Sequence, residues 1–122
     1  MTRPSYRELN KKLKEGKAAT VSGRVYFLEP CVLYADLLDL DLTVSDFQAL
    51  LGRIFEEIRP SDYDGKRPPD RSYEISVLNC ELFAFSWDSG LFGCRMYLKF
   101  VLKREALWII SFHKSKKKGE YE

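Results

Sequence analysis

"MYLKFVLKREALWIISFHKSKKK", residues 96–118, holds the pattern on which the fold turns. Two apolar runs flank a charged turn, and a lysine-rich tail follows. Alternation of this kind predicts two strands, over 94–103 and 107–114. Their alignment matters, because a slip of one residue moves every side chain of a strand to the opposite face. A turn of two or four residues sets Leu102 against Leu107 and puts Lys99 on a face with Trp108, Ile110 and Phe112. A three-residue turn, Arg104 to Ala106, sets Lys103 against Leu107 and Tyr97 against His113. Met96, Leu98, Phe100 and Leu102 then join Trp108, Ile110 and Phe112 on one apolar face. Arg95, Tyr97, Lys99, Val101 and Lys103 join Leu107, Ile109, Ser111 and His113 on the other. Each large apolar side chain left in water forfeits roughly 1.5–3 kcal/mol. The segregated, three-residue register is therefore the predicted one.

Working back from this hairpin, "YEISVL" (73–78) and "ELFAFSW" (81–87) also alternate and read as strands, with a short turn at Asn79-Cys80. "DSGLFG" (88–93) is a second turn region. The stretch 59–72, "RPSDYDGKRPPDRS", has three prolines and no period, and is the one long loop. Upstream the period becomes helical. Ser5 and Glu8 have the spacing of a capping box, so a helix is predicted over 5–15 with Gly16 as its stop. Tyr6, Leu9 and Leu13 form its apolar side. Residues 17–28 suit either a short strand or an extended connection, with Gly23 as a weak point. Pro30 opens a helix over about 30–39, with Val32, Leu33, Leu37 and Leu38 at its apolar positions. Thr43 with Asp46 opens another, whose apolar face is Phe47, Leu50, Leu51, Ile54, Phe55 and Ile58, and which Pro60 ends. Helices first and strands after predict a single α+β domain over 1–122, with the N-terminal helices packed on one face of a small antiparallel sheet.

Composition narrows the class. No apolar run approaches the length of a membrane span, and the charged N-terminal stretch lacks the apolar segment of a secretory signal. A cytoplasmic chain without membrane association is expected. Cys31, Cys80 and Cys94 are odd in number and widely spaced, and predict buried free thiols; no metal or other cofactor is implied. The small net charge of +2 hides a segregation. Residues 1–24 and 95–118 are predominantly basic, whereas 25–58 are predominantly acidic. If the two basic ends meet, they present a positive surface suited to a polyanion.

The predicted outer face gathers Arg95, Tyr97, Lys99, Ser111 and His113. Metal-free RNA cleavage needs the 2′-hydroxyl deprotonated, the leaving 5′-oxygen protonated, and the phosphorane charge stabilised. Histidine exchanges protons near neutrality, lysine and arginine offset phosphate charge, and tyrosine donates a hydrogen bond or stacks on a base. The plainer reading is a solvated strand face with a lone structural histidine and a solvated tail.

Several strings carry a resemblance: "YADLLDLDLTVSDFQALLGRI", "SDYDGK", "MYLKFVL" and "WIISFHK". Together they resemble the MqsR family of bacterial toxins, ribonucleases with a RelE-like fold, across most of residues 5–116. The resemblance implies an mRNA interferase that works without metal or cofactor and is restrained by a cognate antitoxin. Lys66 matches the family's reactive lysine, displaced by one inserted residue. Tyr97 and Lys99 match its strand tyrosine and nearby lysine. His113 stands where the family has a lysine, with Lys114 directly after. The family's strand glutamine has no counterpart, since the only glutamine, Gln48, falls in the Thr43 helix. The expected roles are Lys66, Tyr97 and His113 in catalysis, and Arg67, Arg95, Lys99 and Lys114 in binding mRNA. A non-catalytic RNA- or protein-binding module using the same face is the competing expectation.

Overall fold

The computed structural model describes residues 3–115, so Lys116–Lys118 of the basic tail lie outside the described residues. Over the described residues the fold is α+β: three α-helices and a four-stranded mixed sheet. Helix α1 is Tyr6–Ser22, α2 is Pro30–Leu38 and α3 is Val44–Glu57. Strand β1 is Val25–Phe27, β2 is Phe83–Ser89, β3 is Cys94–Lys103 and β4 is Ala106–Lys114. The sheet order is β1-β4-β3-β2. β2, β3 and β4 are antiparallel, and β1 runs parallel to β4, so the sheet is mostly rather than wholly antiparallel. Among the described residues, no helix is long and apolar enough to cross a membrane.

Local chemistry explains the helix ends. Ser5 accepts a hydrogen bond from the Glu8 amide at the start of α1, while the Glu8 carboxylate turns to Arg3. Thr43 and Asp46 form a complete capping box on α3. Gly16 does not stop α1, which runs seven residues past the predicted end. It is buried mid-helix, and a Cβ there would lie 2.5 Å from the Phe55 ring. The missing side chain thus lets α1 and α3 approach closely. The stop is Gly23, whose φ of 75° provides the left-handed cap. Leu9, Leu13, Gly16 and Ala19 face inward, whereas Tyr6 is exposed. On α2, Leu33 and Leu37 are buried, whereas Val32 and Leu38 are exposed.

The core lies between the helices and one sheet face. Phe47, Leu51, Ile54 and Phe55 of α3 meet Phe83, Phe85, Trp87, Met96, Leu98, Phe100, Leu107, Ile109 and Phe112. Phe100 alone packs against the rings of Phe55, Phe83 and Phe85. Glu57, at the end of α3, accepts from Trp87 Nε1 (3.0 Å), Ser89 Oγ (2.6 Å) and the Leu91 amide (2.9 Å), anchoring the 88–93 turn. Burial pushes its pKa up, but these donors outweigh it and hold the carboxyl below the usual glutamate range.

The final hairpin departs from the predicted register in an instructive way. The turn has two residues, Arg104 and Glu105, both at positive φ (51° and 64°), so Lys103 pairs with Ala106 and Leu102 with Leu107. A bulge between Lys99 and Phe100 then shifts the pairing. Beyond it Lys99 faces Ser111, Leu98 faces Phe112 and Tyr97 faces His113, as predicted. Leu107 and Ile109 therefore belong to the core face, and Trp108 and Ile110 do not. One extra residue lets both strands keep their apolar sets buried on either side of the slip.

Residues 73–78 are not a strand. Ile75–Val77 is a 3-10 turn, and the segment closes on itself through the Ser72 amide to Cys80 O and the Asn79 amide to Ser72 O. Only Val77 is buried there, whereas Tyr73 and Ile75 are more than 90% exposed (93% and 91%), so alternation was not a sign of burial. The cysteines are free, as predicted, but Cys31 is exposed and Cys80 and Cys94 are half-buried.

Candidate active site on the open sheet face

The 59–80 segment runs along the open edge of β2, and its residues 64–70 reach over part of the sheet face opposite the helices. The Asp64 amide donates to Ala84 O and the Leu82 amide to Asp70 O (both 2.8 Å), with isolated bridges Tyr63–Phe85 and Arg71–Glu81. Residues 64–70 are thus tied at one end to β2 and at the other to Leu82 just before it, and form a bow between the ties. Tyr63 anchors the bow: its ring packs edge-on to Phe85 and its hydroxyl donates to Lys66 O (2.5 Å). Gly65 makes the tight turn possible, since a Cβ there would sit 2.6 Å from the Tyr63 hydroxyl.

Under the bow lies a cavity of about 270 Å³ lined by Asp64, Gly65, Lys66, Asp70, Leu82, Ala84, Tyr97 and Lys99. It shares Lys66, Asp70, Leu82 and Lys99 with a larger groove of about 780 Å³, which runs past Ile110 to Leu28 and Glu29 at the end of β1. Lys66, Tyr97 and Lys99 are therefore brought together. Neither lysine is in an ion pair among the described residues. Burial raises the Tyr97 pKa, and the negative charge of Asp64 raises it further, so its hydroxyl stays a proton donor at neutral pH.

His113 stacks on Tyr97, with ring centroids 5.1 Å apart and planes at 22°. Its Nδ1 lies 2.9 Å from Lys114 O. A carbonyl only accepts, so Nδ1 carries a proton in this contact and Nε2 is the ring nitrogen left to exchange one. The chain beyond is held by the Ser115 amide to Arg95 O (2.8 Å) and by the Ser86–Ser115 hydroxyl contact (2.9 Å).

The other predicted site residues are placed differently. Arg67 lines the groove, but its guanidinium lies over the Tyr63 ring (4.9 Å) and donates to Pro4 O (2.8 Å). Arg95 shares the outer face and pairs with Asp88 at 3.3 Å. Lys114 is opposite Met96, so strand alternation puts it on the helix-bearing side, away from His113. The basic ends do meet, at the hairpin tip, but the Arg24–Glu105 and Lys12–Glu15 pairs there mix both signs. Asp64 and Asp70 were not foreseen. They lie in the string "SDYDGK" and just after it, in a loop with no period to flag them.

No family model matches this chain, and no curated protein matches it.

Proposed function

We propose that this chain is a metal-independent endoribonuclease that cleaves mRNA, the toxin of a toxin–antitoxin pair with an MqsR-like, RelE-like fold, acting in the cytoplasm. The observation that carries the reading is one cavity lined by Lys66, Lys99 and Tyr97, with an imidazole stacked on the tyrosine. Lys66 and Lys99 hold the scissile phosphate and offset the charge that grows on its oxygens. His113 Nε2, or the Asp64 carboxylate beside Tyr97, takes the 2′-hydroxyl proton. The 2′-oxygen bonds to phosphorus, the bond to the 5′-oxygen breaks, and the Tyr97 phenol or the protonated imidazole returns a proton to that oxygen. A 2′,3′-cyclic phosphate and a free 5′-hydroxyl result.

Asp64 and Asp70 beside the lysines favour proton transfer over a simple polyanion clamp, whose lining would be cationic throughout. The test is cleavage of a mixed RNA pool in EDTA by wild type, His113→Ala and Tyr97→Phe. Loss of cleavage in both variants is expected, with growth arrest on expression of the wild type alone. Undiminished cleavage in both would remove the site, and RNA bound but left intact by wild type would make the chain a binding module.

A further inference from the structure

The groove that starts at Lys66 and Lys99 ends beside an aromatic pair with no role in the chemistry above. Tyr26 of β1 and Trp108 of β4 are cross-strand partners, stacked at 4.9 Å with planes at 28°. Their neighbours Val25, Phe27, Leu107 and Ile109 pack into the core, so this pair belongs to the opposite, outer face. Among the described residues β1 is an edge strand, bonded only to β4, and Tyr26 is 50% exposed.

We infer that the Tyr26–Trp108 pair is a base-stacking subsite that holds single-stranded RNA on one side of the scissile phosphate. The inference rests on the ribonuclease reading, and three observations carry it. The first is continuity: Ile110 and Leu28 line the groove that contains Lys99, and they adjoin Trp108 and Tyr26 along β4 and β1. The second is spacing. From Ser111, the partner of Lys99, to Trp108 is about 10 Å along the strand, the reach of a dinucleotide. The third is charge. Glu29, next to Leu28 at this end, lines the groove, as does Glu74, and the groove's Arg71 donates to Asn79 O. A polyanion entering here is repelled through its phosphates and must be held through its bases. A half-exposed ring at a sheet edge serves that purpose, because every base has a face to stack.

The ordinary role of such a pair is cross-strand packing. Tyr26→Phe and Tyr26→Leu separate the two roles, since both fill the edge but only one keeps a ring. The probe is a random-sequence hexaribonucleotide with every 2′-hydroxyl methylated, which binds without being cut. Binding is followed by anisotropy of a 5′ dye and by Trp108 emission, over the constant background of buried Trp87. Tyr26→Leu should weaken binding roughly ten-fold, with Tyr26→Phe close to wild type. It should also raise KM for long RNA, with kcat much less affected. Equal binding by Tyr26→Leu and wild type, or no binding by wild type, overturns the subsite. Wild type that binds the probe but never cuts unmodified RNA overturns the ribonuclease reading and leaves the subsite standing.

Discussion

Lys99 and Phe100 are neighbours on β3, and they belong to different worlds. Phe100 faces the helices, is fully buried and touches three aromatic rings. Lys99 faces outward into a groove, opposite Ser111 and beside Tyr97. The helix-bearing face is closed by α1, α2 and α3, and among the described residues it leaves no buried polar side-chain atom without a partner. Among the described residues, the open face is covered by the bow of 64–70 and the 3-10 turn at 75–77. There Lys66 is exposed, and Lys99 and Tyr97 are half-buried. The contrast separates stability from chemistry: the first face sets whether the chain folds, and the second is where a partly dry, charged site is built.

The sharpest way to test that division is to change the two neighbours separately. Lys99→Ala should lower RNA cleavage by about 100-fold or more, as loss of a charge-stabilising group does, with the urea midpoint nearly unchanged. Phe100→Ala should cost about 3–5 kcal/mol in urea denaturation, from lost burial and the cavity left behind. If Lys99→Ala unfolds the chain while retaining activity per folded molecule, the two faces do not divide the work as stated. Within the closed face, Gly16→Ala adds a methyl against the Phe55 ring and should cost about 1–3 kcal/mol, although alanine is the better helix former. A stabilised Gly16→Ala would mean that α1 and α3 are not in close contact there.

Acid titration probes the seam between helix and sheet. The folded-state pKa of Glu57 is lowered below its unfolded value of 4.5, so its contribution is fully present at neutral pH. That contribution fades as pH falls below about 4.5 and the unfolded chain takes up the proton first. Glu57→Gln should therefore lose about 1–2 kcal/mol at pH 7 and show a shallower decline on acidification; parallel acid limbs for the two proteins would discount the carboxylate. The smallest effect belongs to the hairpin tip. Glu105→Gly relieves a positive φ and should gain about 0.5–1 kcal/mol, since the exposed Arg24 pair it gives up is worth little. A loss instead would argue against the two-residue turn.

Much of the closed face was legible beforehand. The Thr43 capping box, the Pro30 start, the apolar face of α3 and the strands of the last hairpin all follow from local propensity and period. Gly16 shows the limit of local signals. A glycine reads as a helix stop until the facing ring of Phe55 is known, and the true stop, Gly23, looked like a break in a strand. Residues 73–78 show a second limit, because alternation with nothing to pack against makes no strand. Of the site, Tyr97, Lys99 and His113 were found through strand period and pairing. The gathering of Lys66 with them had been expected from resemblance, and Asp64 went unseen, because a loop without period gives no direction to its side chains.

By itself, the order of residues determined the starts of the helices, the two strands of the last hairpin and the α+β class, since these depend on near neighbours and on the burial of one repeating face. Only the tertiary structure decided the bulge at Lys99–Phe100, the parallel seat of β1 beside β4 and the bow of 64–70 over Tyr97. Those features join residues far apart in the chain. Their geometry is set by how distant apolar side chains and backbone donors are satisfied together, and no local pattern records that.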